Sequence, residues 1–203
     1  SNTAEIIKYE GDNSTFIWKH PCEDFNSLTQ LIVHESQEAI FFMNGQALDL
    51  FGAGRYTLET QNIPKIGRIL NRVTGDQTPF HCEVYFINKT EQMSIKWGTD
   101  SKVTYMEPAY GFPVSVGASG EMSLRVEDSR KLLVKLVGTE DFLGQQKLIS
   151  FFRAFLMIRI KTYIAQYMKN NGVSIFEIDE HLTAFSKALH QRLVPDFADY
   201  GIA

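Results

Sequence analysis

Two cysteine–histidine pairs are the residues best suited to covalent chemistry in this 203-residue chain: His20 with Cys22, and His81 with Cys82. A thiolate beside an imidazole is a nucleophile, provided the two meet in space and a third group orients the base. Neither pair sits in a nucleophile elbow or another signature that supplies that geometry. Cys82 also falls on the inward phase of an alternating stretch, which predicts a buried thiol. The acidic trio Glu177, Asp179 and Glu180 has the groups for acid–base work, but it stands where a helix should begin. Carboxylates there cap N–H groups and complement the helix dipole. Gly52-Ala53-Gly54 lacks the third glycine and the following helix of a dinucleotide loop. The two cysteines give neither metal-ligand spacing nor a disulfide framework. The residues therefore assign no catalytic, cofactor-binding or metal site, and a hydrolytic or small-molecule enzyme would rest on the Cys–His pairs alone.

The elements that would position such groups are mostly strands. Leu31–Pro64 reads as a β-meander: Leu31–Val33, then Glu38–Met43, an Asn44-Gly45 turn, Gln46–Phe51, and a further strand over Arg55–Leu58. Asn-Gly is the strongest two-residue hairpin signal, because a type I′ turn needs positive φ at both central positions. Ile6–Tyr9 and Phe16–Trp18 are short strands ahead of it, and Asn62–Asp76 reads as a loop or short helical turn. Phe80–Asn88 alternates, with Phe80, Cys82, Val84 and Phe86 on one face and His81, Glu83 and Tyr85 on the other. Strands over Gln92–Trp97, Lys102–Met106, Phe112–Val116 and Glu121–Val126 follow, and Asp128-Ser129 opens a last strand or short helix through Val137.

The period then changes. Asp141 to about Asn170 is helical, ending at Asn171-Gly172, where glycine suits the left-handed position after a helix. Ile149, Phe152, Leu156, Ile160, Tyr163 and Tyr167 form one stripe, expected to face a sheet. Leu148, Phe151, Phe155 and Ile158 lie on a second arc, which makes them the candidate interaction surface. Either a second helix covers that arc or another subunit does. The run Leu148–Ile160 is too short to span a bilayer, which takes about 20 apolar residues, and it holds Arg153 and Arg159. The basic residues Lys147, Arg153, Arg159, Lys161 and Lys169 read as a solvated face rather than a lipid patch, and Trp18 and Trp97 as core rather than interfacial anchors. A second helix runs from about Ile178 to Leu193, with Ser174 or Asp179 as its cap and Pro195 as its end. Tyr200–Ala203 reads as a strand cut short.

Composition bounds the rest. With 44% hydrophobic and 22% charged residues the chain is an ordinary globular protein, long enough for a real core. A net charge of −4 argues against nucleic acid, which wants a concentrated basic surface. Cysteine usage without a secretory signal indicates a reducing, cytoplasmic compartment. Ser1-Asn2 reads as a protease scar, so the chain is expected to be a piece truncated at both ends.

Several stretches together carry a resemblance: YEGDNSTFIWKHP (Tyr9–Pro21), LIVHESQEAIFFMNG (Leu31–Gly45), FGAGRYTLETQNIP (Phe51–Pro64), EVYFINKTEQMSIKWGT (Glu83–Thr99) and GEMSLRVEDSRKLL (Gly120–Leu133). The chain resembles the SPFH or Band 7 superfamily (stomatin, prohibitin, flotillin and the HflK/HflC proteins). Within it, the chain is most similar to the bacterial subfamily named after a poxvirus virion core protein. The resemblance implies one α+β SPFH domain over residues 1–203. A curved, mainly antiparallel β part would occupy 1–138, and a mainly helical part with one long and one shorter helix would occupy 139–203. It also implies a non-enzymatic scaffold that homo-oligomerises at the inner face of the plasma membrane. Such a scaffold would recruit or restrain partners, among them membrane proteins, membrane-stress partners and membrane proteases. Zinc is expected only in a C-terminal ribbon beyond Ala203. Two departures stand out: no hydrophobic N-terminal anchor, and Ala53 where the turn often has proline. A soluble adaptor without direct membrane contact, or a regulatory subunit of a membrane protease, is the alternative expectation.

Overall fold

The structure, a computed structural model, describes residues 6–11, 15–21, 24–25, 28–58, 80–90, 92–137 and 145–203. Expectations for Cys22, for Asn62–Asp76 and for the first residues of the long helix (141–144) lie outside them. The chain is α+β, with mainly antiparallel strands and two C-terminal helices, and the strands are distributed over several small sheets. It divides into two compact units: residues 1–92 with 125–147 and 200–202, and residues 93–124 with 148–199 and Ala203. This division cuts across the β-rich and helical portions, so each unit owns both strands and helix.

The first unit is built around the Asn44-Gly45 turn, whose φ values of 51° and 77° are the positive pair that a type I′ hairpin requires. It joins β5 (Gln37–Met43) to β6 (Gln46–Phe51). The stretch is not a simple meander, however. The strands outside the hairpin, β4 (Gln30–Val33) and β7 (Gly54–Thr57), pair with each other, and β1 (Ile6–Ile7) adds to β4 in parallel. The inner hairpin instead joins β9 (Glu83–Asn88), which pairs on its other side with β2 (Ile17–Lys19). Short strands β3 (Asp24–Phe25) and β8 (Phe80–His81) pair separately.

As a central strand of the four, β9 is buried on both faces, which corrects the expected polar side: Val84 and Phe86 are buried, and so are Tyr85 and Ile87. One face joins a core with Phe25, Phe41, Phe51 and Cys82, in which the Phe25 and Phe41 rings lie 6.3 Å apart and nearly parallel. On the other face the Tyr85 ring meets Phe42 edge-on at 5.9 Å. Helix α1 (Ser129–Val137) packs on β6 and resolves the strand-or-helix alternative for this stretch. Asp128 caps it by accepting the Lys131 N–H at 3.0 Å. The tail forms a turn and a single isolated bridge rather than the expected strand. Ile202 bridges Val126 in antiparallel fashion, and the Gly201 carbonyl accepts the N–H groups of Glu127 (2.8 Å) and Asp128 (3.0 Å).

The second unit repeats the nested plan. Strand β10 (Met93–Gly98) pairs with β13 (Ser119–Leu124), and between them in sequence β11 (Val103–Met106) pairs with β12 (Pro113–Val116). Trp97 lies opposite Gly120, where a side chain would meet its ring at 2.7 Å, so the indole covers bare backbone as packing rather than as a surface anchor. Helix α2 (Gln145–Asn171) ends as its sequence indicates: Gly172 takes φ 56° and the Val173 N–H reaches back to the Met168 carbonyl at 3.2 Å. A 3-10 turn (Ile175–Glu177) capped by Ser174 leads into helix α3 (Ile178–Ala198). Neither expected residue caps α3 itself: Ser174 caps the 3-10 turn, Glu177 stands at the N-cap of α3 without a side-chain cap bond, and Asp179 lies within the helix. Pro195 does not end α3, which continues to Ala198. The proline forfeits one N–H bond only a turn from the terminus, where such a loss disrupts least.

Candidate interaction surface

The groups with chemical potential are placed as structural ones. The Cys82 thiol is buried, with Sγ 3.5 Å from the Phe42 carbonyl, as a core thiol would be. His20 is buried between the rings of Trp18 (5.7 Å) and Phe25 (6.0 Å). Among the described residues no three His, Cys, Asp or Glu side chains gather as a metal site. Asp179 and Glu180 occupy the first turn of α3, where their charge complements the dipole. Three of the basic residues of α2 have separate partners. Arg153 donates to the Lys96 carbonyl (3.0 Å), and Arg159 pairs with Asp196 (3.3 Å). Lys161 pairs with Asp100, whose carboxyl is thereby held below the usual carboxylate range. Each of these three is committed to a different neighbour.

The second arc of α2 is split by its surroundings. Leu148 and Phe155 are buried, Phe151 is half-buried, and Ile158 stands 71% exposed. Helix α3 supplies part of the cover: the Phe197 ring meets Phe155 at 5.0 Å and Phe152 at 5.9 Å. Arg159 lies over the Phe155 ring at 3.5 Å, an arrangement that adds cation–π attraction to the packing. The helix pair is closed further along by Tyr163, whose hydroxyl donates to Asp196 at 2.6 Å; that bond, with burial, raises its pKa. Of the four candidate residues, Ile158 alone presents most of its side chain to solvent. We expect Phe155→Asp to unfold this unit and Ile158→Asp to leave its melting temperature within about 2 °C, because exposed substitutions cost little. Circular dichroism melts of the two variants check this, and equal melting temperatures would refute the split.

Two further features have no periodic signal in the sequence. The turn between β11 and β12 carries Tyr110 and Phe112, and the 3-10 turn carries Phe176; these are 66%, 41% and 72% exposed. Tyr110 lies 6.1 Å from the Phe112 ring and meets Phe176 edge-on at 5.5 Å. Beneath them Glu107 is fully buried and accepts the Ala109 N–H at 2.9 Å. The Ser174 hydroxyl, with the N–H groups of Ala109, Ile175 and Tyr110, holds its carboxyl below the usual range against the opposing effect of burial. Ser174 also accepts the Phe176 N–H, so one carboxylate and one hydroxyl join the two turns that present the rings. The stabilisation from this ionised carboxyl is present above its ordinary pKa and is lost as pH falls through the lowered one. The signal available in the sequence was the run Pro108-Ala109-Tyr110-Gly111-Phe112-Pro113, in which turn formers enclose two aromatic residues that no core needs.

Beside this cluster, an apolar pocket of about 100 Å³ is lined by Val116, Ile164, Met168, Ile178, Leu182 and Phe185, with Tyr167 and His181 (3.5 Å apart) as its polar corner. No helix among the described residues is long and apolar enough to cross a membrane.

Comparison with known proteins gives the chain a relative and a family. A protein of Bacillus subtilis (strain 168), the uncharacterized protein YdjI, is 22% identical over 196 residues, covering 95% of this chain. The chain spans 58% of that relative's length. The family model described as SPFH domain-Band 7 matches residues 17–203, nearly every element described above, and the chain belongs to that family.

Proposed function

We propose that the protein is a non-enzymatic scaffold that homo-oligomerises at the inner face of the plasma membrane and recruits partner proteins there. The observation that carries this reading is the family match over residues 17–203, which takes in both compact units. The commitment of Cys82, Arg159 and Lys161 to internal partners is consistent with it. Attachment to the bilayer would be peripheral for the described residues, through a surface or through chain outside them. Exposed Ile158 on α2 favours the adaptor reading as second choice, in which the same scaffold binds a protein partner without touching lipid.

Sedimentation velocity and flotation with anionic phospholipid vesicles test the proposal on the protein at its full natural length. The expected result is a species of many protomers that floats with the vesicles. A large species that stays behind favours the adaptor. A strictly monomeric protein that ignores vesicles sinks the scaffold reading.

A further inference from the structure

A carboxylate buried without a cation must be held by dipoles, and Glu107 is held by donors from two separate turns. It has no exposed surface, and no lysine, arginine or histidine stands among the groups that act on it. Its own backbone closes the turn between β11 and β12. The Glu107 N–H donates to the Phe112 carbonyl at 2.9 Å, and the Glu107 carbonyl accepts the Gly111 N–H at 2.8 Å. From that turn the N–H groups of Ala109 and Tyr110 face the carboxylate. From the connection between α2 and α3 come the Ser174 hydroxyl and the Ile175 N–H. The side chain thus spans two turns, which touch again where the Tyr110 and Phe176 rings meet.

This holding is incomplete, and little else supports it. Oε2 takes the Ala109 N–H at 2.9 Å, whereas Oε1 is buried with no partner at ordinary hydrogen-bond geometry. An under-satisfied buried group of this kind stores free energy in the folded state. The Tyr105 hydroxyl and the Val173 N–H both donate to the Met168 carbonyl, but those bonds stop short of Ser174. The 3-10 turn buries no residue, and α3 buries none before Leu189. A segment with so little buried surface opens more readily than its surroundings. Nor is there a cation to replace the carboxylate. Glu177, Asp179 and Glu180 are exposed acids, His181 lies with Tyr167, and Tyr105 is the ionisable side chain coupled to Glu107 from β11.

We propose that Glu107 is a charge-dependent latch: its carboxylate docks the 3-10 turn and the first turns of α3 on the β11–β12 hairpin, and neutralising it frees that segment while α2 and the second half of α3 stay folded. With the latch closed, Tyr110, Phe112 and Phe176 form one ring cluster. With it open, Phe176 leaves the other two.

Amide hydrogen exchange read by mass spectrometry tests the latch on the full chain, with circular dichroism to establish that each protein is folded. Glu107→Gln keeps the side-chain shape and removes the charge. At pH 7 it should speed exchange over Ser174–Leu182 and Ala109–Phe112 by about tenfold, the effect of weakening a charged hydrogen-bond set. Ile160–Met168 and Leu189–Phe197 should exchange as in the wild type. In the wild type itself, the protection of Ser174–Leu182 should fall as pH drops through the lowered carboxylate range, ahead of that of α2. Glu107→Gln should lack this step. Faster exchange spread evenly over the whole unit would make Glu107 a general packing group and overturn the latch. So would wild-type protection in Glu107→Gln, or an acid step that arrives only when the Asp100 and Asp196 contacts of α2 are lost as well.

Discussion

Replacing Gly201 with alanine is expected to lower the unfolding free energy by about 2–4 kcal/mol, combining left-handed backbone strain with overpacking. Gly201 has φ 70°, and a Cβ there would lie 2.2 Å from the Asp128 carbonyl oxygen and 3.0 Å from the Leu132 nitrogen. Both atoms belong to the first turn of α1, where the Asp128 carbonyl accepts the Leu132 N–H at 3.1 Å. The methyl group cannot be accommodated by a rotamer change, because its neighbours are backbone. The tail must pull away, and with it go the two bonds to Glu127 and Asp128 and the burial of Ile202. Gly111 is the control, with φ 69° and no atom within 4 Å of where a Cβ would lie, so alanine there should cost about 1 kcal/mol from the backbone alone. Urea midpoints compare the two. Equal losses would mean that the close approach to Asp128 contributes nothing.

Phe152→Ala is expected to cost about 3–5 kcal/mol, the usual range for emptying a fully buried phenylalanine site. Phe152 has no exposed surface, and its ring meets Phe151 at 5.3 Å as well as Phe197 on α3. Ile158 lies further along the same helix and is mostly solvated, so Ile158→Ala should change stability by no more than about 0.5 kcal/mol. Denaturant titration of both proteins reads the contrast directly. A small loss at Phe152 would mean that α2 and α3 do not share a packed interface.

Local chemistry in the sequence was sufficient for the elements and much weaker for their partners. Asn44-Gly45 specified its own turn, Gly172 its own helix end, and Phe152, Leu156 and Ile160 the buried stripe of α2, because each acts within a few residues. Pairing was less legible. Nothing in Leu31–Val33 states that its neighbour is Gly54–Thr57 rather than Gln37–Met43, since either strand lies at a workable distance. The burial of Tyr85 escaped the alternation rule because that rule describes a sheet with one wet face, and β9 has none. Pro195 misled for a related reason: its penalty falls on one hydrogen bond, which the α2–α3 packing outweighs. The aromatic cluster was hidden by distance along the chain, since Glu107 and Ser174 become neighbours only when the β11–β12 turn meets the end of α2.

The nested strand pairs also bear on the order in which the chain folds. Pairing β4 with β7 directly would close a loop of roughly 20 residues, whereas prior zipping of the Asn44-Gly45 hairpin leaves roughly 5 to be ordered, a saving of about 1 kcal/mol in closure entropy. The route to the native sheet therefore runs outward from that turn, through contacts that are each nearly local when they form. Met93–Leu124 has the same design, with β11–β12 as the inner closure for β10–β13. Such a chain behaves kinetically like a lower-contact-order protein than its final strand pairing suggests. Its edges then spend less time unpaired at the stage when unpaired strands aggregate.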